Sequence, residues 1–314
     1  MLKKTILKNT EFSLVVIIAI IFVVATVGTN NFFSEYNLMN LLKQCAITGV
    51  LALSATFIII TGGIDLSCGS ICGFATLIVA MGQVKWGMSV PVTIILAIIV
   101  SIICGIYNAI IINEFHVPPF IATLGSMTII RGVIKVMGNA STISGIDTDF
   151  AAFAANSIGP IPNLAIVWIL MGILTWLILR YTTFGRNLFV MGSGQEVAKL
   201  SGVSIRKTTY LVYGFAGFLC GIAGVMLCAR INSSVPTAGE GYEMNAIAAA
   251  VIGGASLAGA KGSIIGTMLG TILMVMIQNA GVQFGINSFI MEITTGVLIT
   301  LAVLIDQLKN RSSK

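Results

Sequence analysis

Long apolar stretches alternate along this chain with short polar punctuation. A membrane-crossing helix needs roughly 20 apolar residues, with a range of about 17–25. Stretches of that kind run over 13–29, 41–60, 68–84, 90–112, 120–137, 164–179, 209–229, 244–257, 264–282 and 286–305. The pattern predicts an all-α polytopic transmembrane bundle of about ten spans, built as one domain over 1–314. The runs are continuous rather than alternating, which speaks against a β-barrel. Two of them depart from the simple pattern. The stretch at 244–257 is short and reads as a broken or re-entrant helix, and the one at 68–84 opens in glycine-rich sequence, as if it started partway into the bilayer. Pro118-Pro119 fits the start of the fifth span, because proline needs no donor in a first helical turn.

Composition agrees. Hydrophobic residues make up 57% of the chain and charged residues 9%, where a soluble domain carries about 25%. Lys3, Lys4 and Lys8 precede the first apolar run, as in a signal peptide, but Asn30-Asn31-Phe32-Phe33 follows in place of a small-x-small cleavage site. The segment therefore reads as an uncleaved first span. The net charge of +6 lies in loops, with no basic run interleaved with aromatics, so nucleic acid is not an expected partner.

Lys and Arg in short loops mark the cytoplasmic side. They gather in three places: the start of the chain, the loop after the sixth span (Arg180, Arg186, Lys199, Arg206, Lys207), and the tail with Lys309, Arg311 and Lys314. An even number of spans puts all three on one face, with both termini cytoplasmic. The loop over 138–163 has Asp147 and Asp149 and no Lys or Arg, and belongs outside. Arg131 and Lys135 either snorkel to the outer interface or face the protein interior.

Candidate chemistry is sparse. Thr61-Gly62-Gly63-Ile64-Asp65-Leu66-Ser67 places a carboxylate and helix-breaking glycines between two apolar runs. A charge at that depth is costly and marks function by default, and non-helical backbone survives there only when covered by protein or a cavity. Thr61, Gly62, Gly63, Asp65 and Ser67 are candidates for a translocation pathway or gate. A fainter echo, Gly253, Gly254 and Ser256 in Gly253-Gly254-Ala255-Ser256-Leu257-Ala258, lies six spans later. Paired glycine interruptions point to transport sites, and this pair would form a parallel repeat, with chance similarity as its rival.

Gly254 to Ser263 nearly spells a phosphate-binding loop, but Ala260 separates Gly259 from Lys261. The pattern needs Lys directly after the second Gly and then Ser or Thr, so any ATP would be bound by another subunit. Gln195, Glu196, Val197, Ala198, Lys199 and Leu200 read as a short helix, with Gly194 before it and Ser201-Gly202 after it. Its apolar face either lies on lipid headgroups or docks into a groove of a cytoplasmic partner. Pro236, Thr237, Glu240, Tyr242 and Glu243 form an outer stretch, which is either a loop capping the eighth helix or a gate and receptor-facing surface. Glu292 lies inside the last span, as a pathway residue or a helix–helix hydrogen-bond partner. His116, the lone histidine, reads as a surface residue. The six cysteines read as small buried hydrophobes. No metal, no cofactor and no catalytic constellation is expected.

On these stretches the chain resembles the membrane-spanning permeases of bacterial ABC importers for monosaccharides, the ribose permease family. The resemblance rests on Thr61-Gly62-Gly63-Ile64-Asp65-Leu66-Ser67 with Gly69-Ser70, Phe120-Ile121-Ala122-Thr123-Leu124-Gly125 and Arg131-Gly132. It continues through Phe184-Gly185-Arg186, Leu200-Ser201-Gly202-Val203, Pro236-Thr237-Ala238-Gly239 and Gly241-Tyr242-Glu243. It closes on Ala246-Ile247-Ala248-Ala249, Val251-Ile252-Gly253-Gly254, Ser256-Leu257, Gly259, Lys261-Gly262 and Gly266-Thr267. It implies a pair of permeases, identical or sister copies, in the lipid bilayer. It also implies cytoplasmic ATP-binding subunits and a periplasmic sugar-binding protein, with the segment around Gln195 to Gly202 coupling to the ATPase. Cys68, Cys72 and Glu240 depart from the family's usual pattern. The rival reading is a secondary sugar transporter driven by an ion gradient, for which Asp65 and Glu292 supply few titratable groups.

Overall fold

The computed structural model describes residues 10–311; Lys3, Lys4, Lys8 and Lys314, on which part of the orientation argument rests, lie outside them. Thirteen helices follow one another: α1 (Thr10–Gly28), α2 (Glu35–Ile60), α3 (Cys68–Val84), α4 (Val90–Glu114), α5 (Pro119–Met137), α6 (Thr148–Ala155), α7 (Asn163–Tyr181), α8 (Thr183–Gly192), α9 (Gln195–Leu200), α10 (Ile205–Ile231), α11 (Tyr242–Ile252), α12 (Ile264–Gln283) and α13 (Ser288–Arg311). Four two-residue strands sit at one end of the bundle. Strand β1 (Ile143–Ser144) pairs antiparallel with β4 (Ser233–Ser234), and β2 (Ser157–Ile158) with β3 (Ile161–Pro162). This is the strand end; the end carrying α8 and α9 is the basic end.

The all-α membrane bundle is as expected. Among the described residues, seven helices are long and apolar enough to cross a membrane: α1, α2, α4, α5, α7, α10 and α12. Three shorter apolar helices join them, namely α3, α11 and the Phe289–Leu304 part of α13. Glycine-containing breaks precede α3 and α11 and shorten both helices.

α2 is the axis of the fold. Ser34 caps it, its Oγ accepting from the Asn37 amide at 3.3 Å. Within its most apolar window 89% of residues are buried, against 11% for α1, so α2 is sheathed by protein and α1 by lipid. Buried polar groups tie α2 to its neighbours. Thr56 and Thr267 of α12 share a hydrogen bond at 2.7 Å, and Ser54 donates to the Ala216 carbonyl of α10 at 3.3 Å. Near the strand end, Asn37 exchanges 2.9 Å bonds with Asn279 and accepts from Gln283 at 2.8 Å.

α4 and α10 pack closely because their facing positions are small. The buried residues of α4 are Thr93, Ala97, Ser101, Gly105, Asn108 and Ala109, a stripe at helical spacing. Against it lie Gly217 and Gly221 of α10, where a Cβ would strike the α4 backbone. Without a hydrophobic drive between helices in lipid, such close van der Waals contact carries much of the association. At the basic end Arg206 meets Glu114 at 2.9 Å, and the Tyr210 hydroxyl donates to the same carboxylate at 2.8 Å. His116 is exposed, in a left-handed conformation (φ 56°) just past α4.

Candidate functional site

The first break begins where α2 ends. Thr61 turns its hydroxyl back to the Ile58 carbonyl at 2.7 Å, and Gly62 takes a left-handed φ of 81°. The chain then folds back into the bundle instead of leaving it. The Asp65 carboxylate accepts from the Ser67 amide at 2.7 Å and from the Ser67 hydroxyl at 2.6 Å. It thus sits at the positive end of α3, where negative charge is favoured. Asn108 of α4 donates to the Ser67 hydroxyl at 2.8 Å, and Thr123 of α5 accepts from the Leu66 amide at 3.2 Å. Asn108 lies six residues, or about 9 Å, inside the end of α4. Asp65 is 4% exposed and Ser67 fully buried. Nearby, Asn108 Oδ1 and the Tyr213 hydroxyl are buried without a hydrogen-bond partner.

The second break descends from the strand end. After β4, residues 235–241 run down the face of α3. Thr76 and Ser234 share a hydrogen bond at 3.1 Å, and Arg131 of α5 donates to the Ala238 carbonyl at 2.5 Å. Arg131 therefore faces the interior, while Lys135 is exposed. Ala238 covers Gly73, and Gly239 covers Gly69, so tightly that a Cβ on either α3 glycine would overlap backbone carbonyls. Glu243, in the first turn of α11, accepts from the Gly241 amide at 3.3 Å. Its second oxygen is buried against Gly69 with no hydrogen-bond partner. So α3 and α11 begin beside each other inside the bundle, reached from opposite ends of it, each with a carboxylate at its first turn. Discontinuous helices meeting at depth are the architecture of many transport sites.

The predicted residues divide accordingly. Asp65 and Ser67 join the buried junction, and Glu243 adjoins it. Tyr242 and Pro236 are partly buried and Thr237 and Glu240 are exposed, on the segment that packs along α3. Gly253, Gly254 and Ser256 lie away from the junction. Gly253 packs on the backbone of Gly266, and the Ser256 amide donates to the Lys261 carbonyl at 3.1 Å. That turn meets the end of α2 at the basic end, where the Ala260 amide donates to the Ile60 carbonyl at 2.9 Å. Gly62 and Gly254 do share left-handed geometry just past a helix end. The segment that packs on the start of α3, just after 61–67, is instead 235–241, through Ala238 and Gly239.

α9 occupies the residues read as a short helix. Gly194 caps it at φ 133°, and Gly202 (φ 72°) follows the terminal turn in which the Ser201 amide donates to the Val197 carbonyl at 3.0 Å. Ala198 is fully buried and anchors it, while Val197 is 47% and Leu200 90% exposed. Gln195, Glu196 and Lys199 are exposed as well.

Sequence reasoning missed Asn108, Thr123 and Tyr213 at the junction, and Asn245, Gln278 and Thr295, which line a groove beside α11 together with Glu240 and Glu292. Their signal was present but faint: each is a polar residue inside an otherwise apolar run. Among the described residues, no group of three His, Cys, Asp or Glu could hold a metal.

A multi-pass bundle with half-helices meeting at depth, and an exposed short helix at its basic end, has the form of a membrane permease. Comparison with known proteins makes the class definite: the chain belongs to the family described as the permease component of the branched-chain amino acid transport system, which matches residues 37–305. It is 37% identical over 293 residues to the ribose import permease protein of Bacillus subtilis, covering 93% of this chain and 91% of that one. The ribose import permease protein of Escherichia coli K12 is 37% identical over 302 residues, covering 95% and 93%. The xylose transport system permease protein of Haemophilus influenzae is 32% identical over 357 residues, covering 94% and 95%. No solved structure matches.

Proposed function

We propose that the chain is the membrane-spanning subunit of an ATP-binding-cassette importer for a monosaccharide, ribose or a related sugar. The observation that carries this reading is near-full-length similarity to ribose import permeases at 37% identity. The chain works as a pair of permeases in the bacterial inner membrane, with cytoplasmic ATP-binding subunits and a periplasmic sugar-binding protein. The basic end faces the cytoplasm, in keeping with Arg180, Arg186, Arg206 and Lys207. The bundle crosses the membrane ten times when α3, α11 and α13 are counted with the seven long helices. Thr61, Gly62, Gly63, Asp65 and Ser67 act as the hinge of the pathway, and Pro236 and Thr237 as the receptor-facing segment.

The coupling element is α9 with its flanks, Gly194 through Gly202. Val197 and Leu200 leave apolar surface uncovered at the basic end, and a partner groove removes it from water. The test is Glu196→Arg, or deletion of 195–200, in the assembled importer. Both variants insert and purify normally but lose sugar-dependent uptake. ATP-driven uptake at the unmodified rate would overturn the coupling assignment.

A further inference from the structure

The groove between the start of α11 and helices α12 and α13 has a volume of about 530 Å³. Small-molecule sites typically fall between about 300 and 1,000 Å³. Glu240, Asn245, Gln278, Glu292 and Thr295 supply its polar lining, set among apolar side chains such as Met291. It lies within the bundle's length: Gln278 is five residues, or about 8 Å, inside the end of α12. The Gln278 amide donates to Asn245 Oδ1 at 3.0 Å and reaches Thr295 Oγ1 at 3.4 Å. Those bonds join α11, α12 and α13 into one wall and fix which amide atoms face the opening. The Asn245 amide nitrogen, Gln278 Oε1 and the carboxylates of Glu240 and Glu292 have no hydrogen-bond partner among the described residues.

We propose that this groove is the solute-contacting part of the translocation pathway and that it takes a neutral, polyhydroxylated solute. The inference rests on the sugar-permease reading and deepens it. Sugar hydroxyls both donate and accept, and the lining offers both: carboxylate and amide oxygens to accept, and the Asn245 amide to donate. Two carboxylates at one opening repel anions, so a phosphorylated or carboxylate-bearing solute is turned away. The groove is open and only partly lined by polar groups, which holds a solute weakly and lets it leave.

The experiment uses the full chain, assembled with its ATP-binding and binding-protein partners in proteoliposomes, with D-ribose, D-xylose and D-galactose as probes. Glu292→Gln and Asn245→Ala each lower the uptake rate by about tenfold, the worth of one lost hydrogen bond to a charged or buried group. Glu292→Gln keeps the thermal midpoint and binding-protein-stimulated ATP hydrolysis of the parent, whereas Asn245→Ala also removes the acceptor of the Gln278 amide and lowers the midpoint. A second measurement needs no binding protein: the thiol of a Thr295→Cys variant is labelled with a methanethiosulfonate reagent. Five native cysteines are buried and Cys104 is half-buried like Thr295, so labelling of the parent is subtracted. At least one of the sugars slows its labelling, and D-ribose 5-phosphate does not. Labelling indifferent to every sugar, equal protection by the phosphate, or a thiol sealed off by the second permease copy would each overturn the groove assignment. If the unmodified importer moves none of the sugars, the sugar-permease reading itself falls. If it moves them and both variants match it, only the groove assignment falls.

Discussion

Asp65 and Glu292 are both carboxylates within the apolar part of the chain, and the fold treats them in opposite ways. Asp65 is buried, takes two hydrogen bonds from Ser67 and sits at the first turn of a helix. Around it, Asn108 and Thr123 bind the break to two further helices. Glu292 is exposed in a groove, on a wall where the Asn245–Gln278–Thr295 bonds leave hydrogen-bonding capacity unspent. The first site resists change and the second offers contacts. A carboxylate within an apolar run is therefore not by itself an open one: what separates the two is whether the protein already satisfies it.

The contrast can be broken most forcefully at Gly69. A side chain there strikes the Gly239 carbonyl and Glu243 together, and backbone cannot yield as a flexible side chain does. Gly69→Leu is expected to cost at least the upper end of the roughly 1–3 kcal/mol range for overpacking. The readout is loss of monodisperse protein on size-exclusion chromatography, and a parent-like yield would refute the packing account.

Asp65→Ala comes next. It leaves the Ser67 amide and hydroxyl buried without their acceptor, at a cost of about 1–3 kcal/mol. The thermal midpoint in detergent falls, whereas Glu292→Gln leaves it unchanged and lowers uptake. Equal midpoints for the two variants would erase the distinction between the sites.

Asn108→Ala is milder. It removes the donor to Ser67 and also the unpaired Oδ1, so the two effects partly offset, and a destabilisation of about 1 kcal/mol is expected. The smallest effect belongs to Glu114→Gln at the basic end. Its ion pair with Arg206 is exposed, and such pairs contribute about 0–1 kcal/mol. The midpoint should move little, and raising the salt concentration should shrink the difference further.

Much of this was legible in the chain itself. Long apolar runs have few ways to satisfy backbone polar groups in lipid, so the helical bundle and most helix positions follow from composition and length. The short helix at Gln195–Leu200 was readable because glycines bracket it. The break before α3 was visible as a glycine-rich interruption and α11 as a short span, whereas the segment before α11 read as an outer loop. What the chain did not display is which breaks meet. The echo of 61–67 at 253–258 is local similarity, whereas the contact of α3 with 235–241 depends on the small faces of Gly69 and Gly73 receiving a backbone from a distant segment.

The residues at work were harder to find for the same reason. Asn108, Asn245, Gln278 and Thr295 are ordinary polar interruptions until helix packing brings each beside its partner, 33 residues apart for Asn245 and Gln278. The order of residues alone determined that this is a multi-pass helical membrane protein with interrupted helices, because the solvent it must face is written in its hydrophobicity. Only the tertiary structure decided which polar groups within the apolar runs are spent on holding helices together and which are left without a partner, because hydrogen-bond satisfaction is a property of neighbours in space.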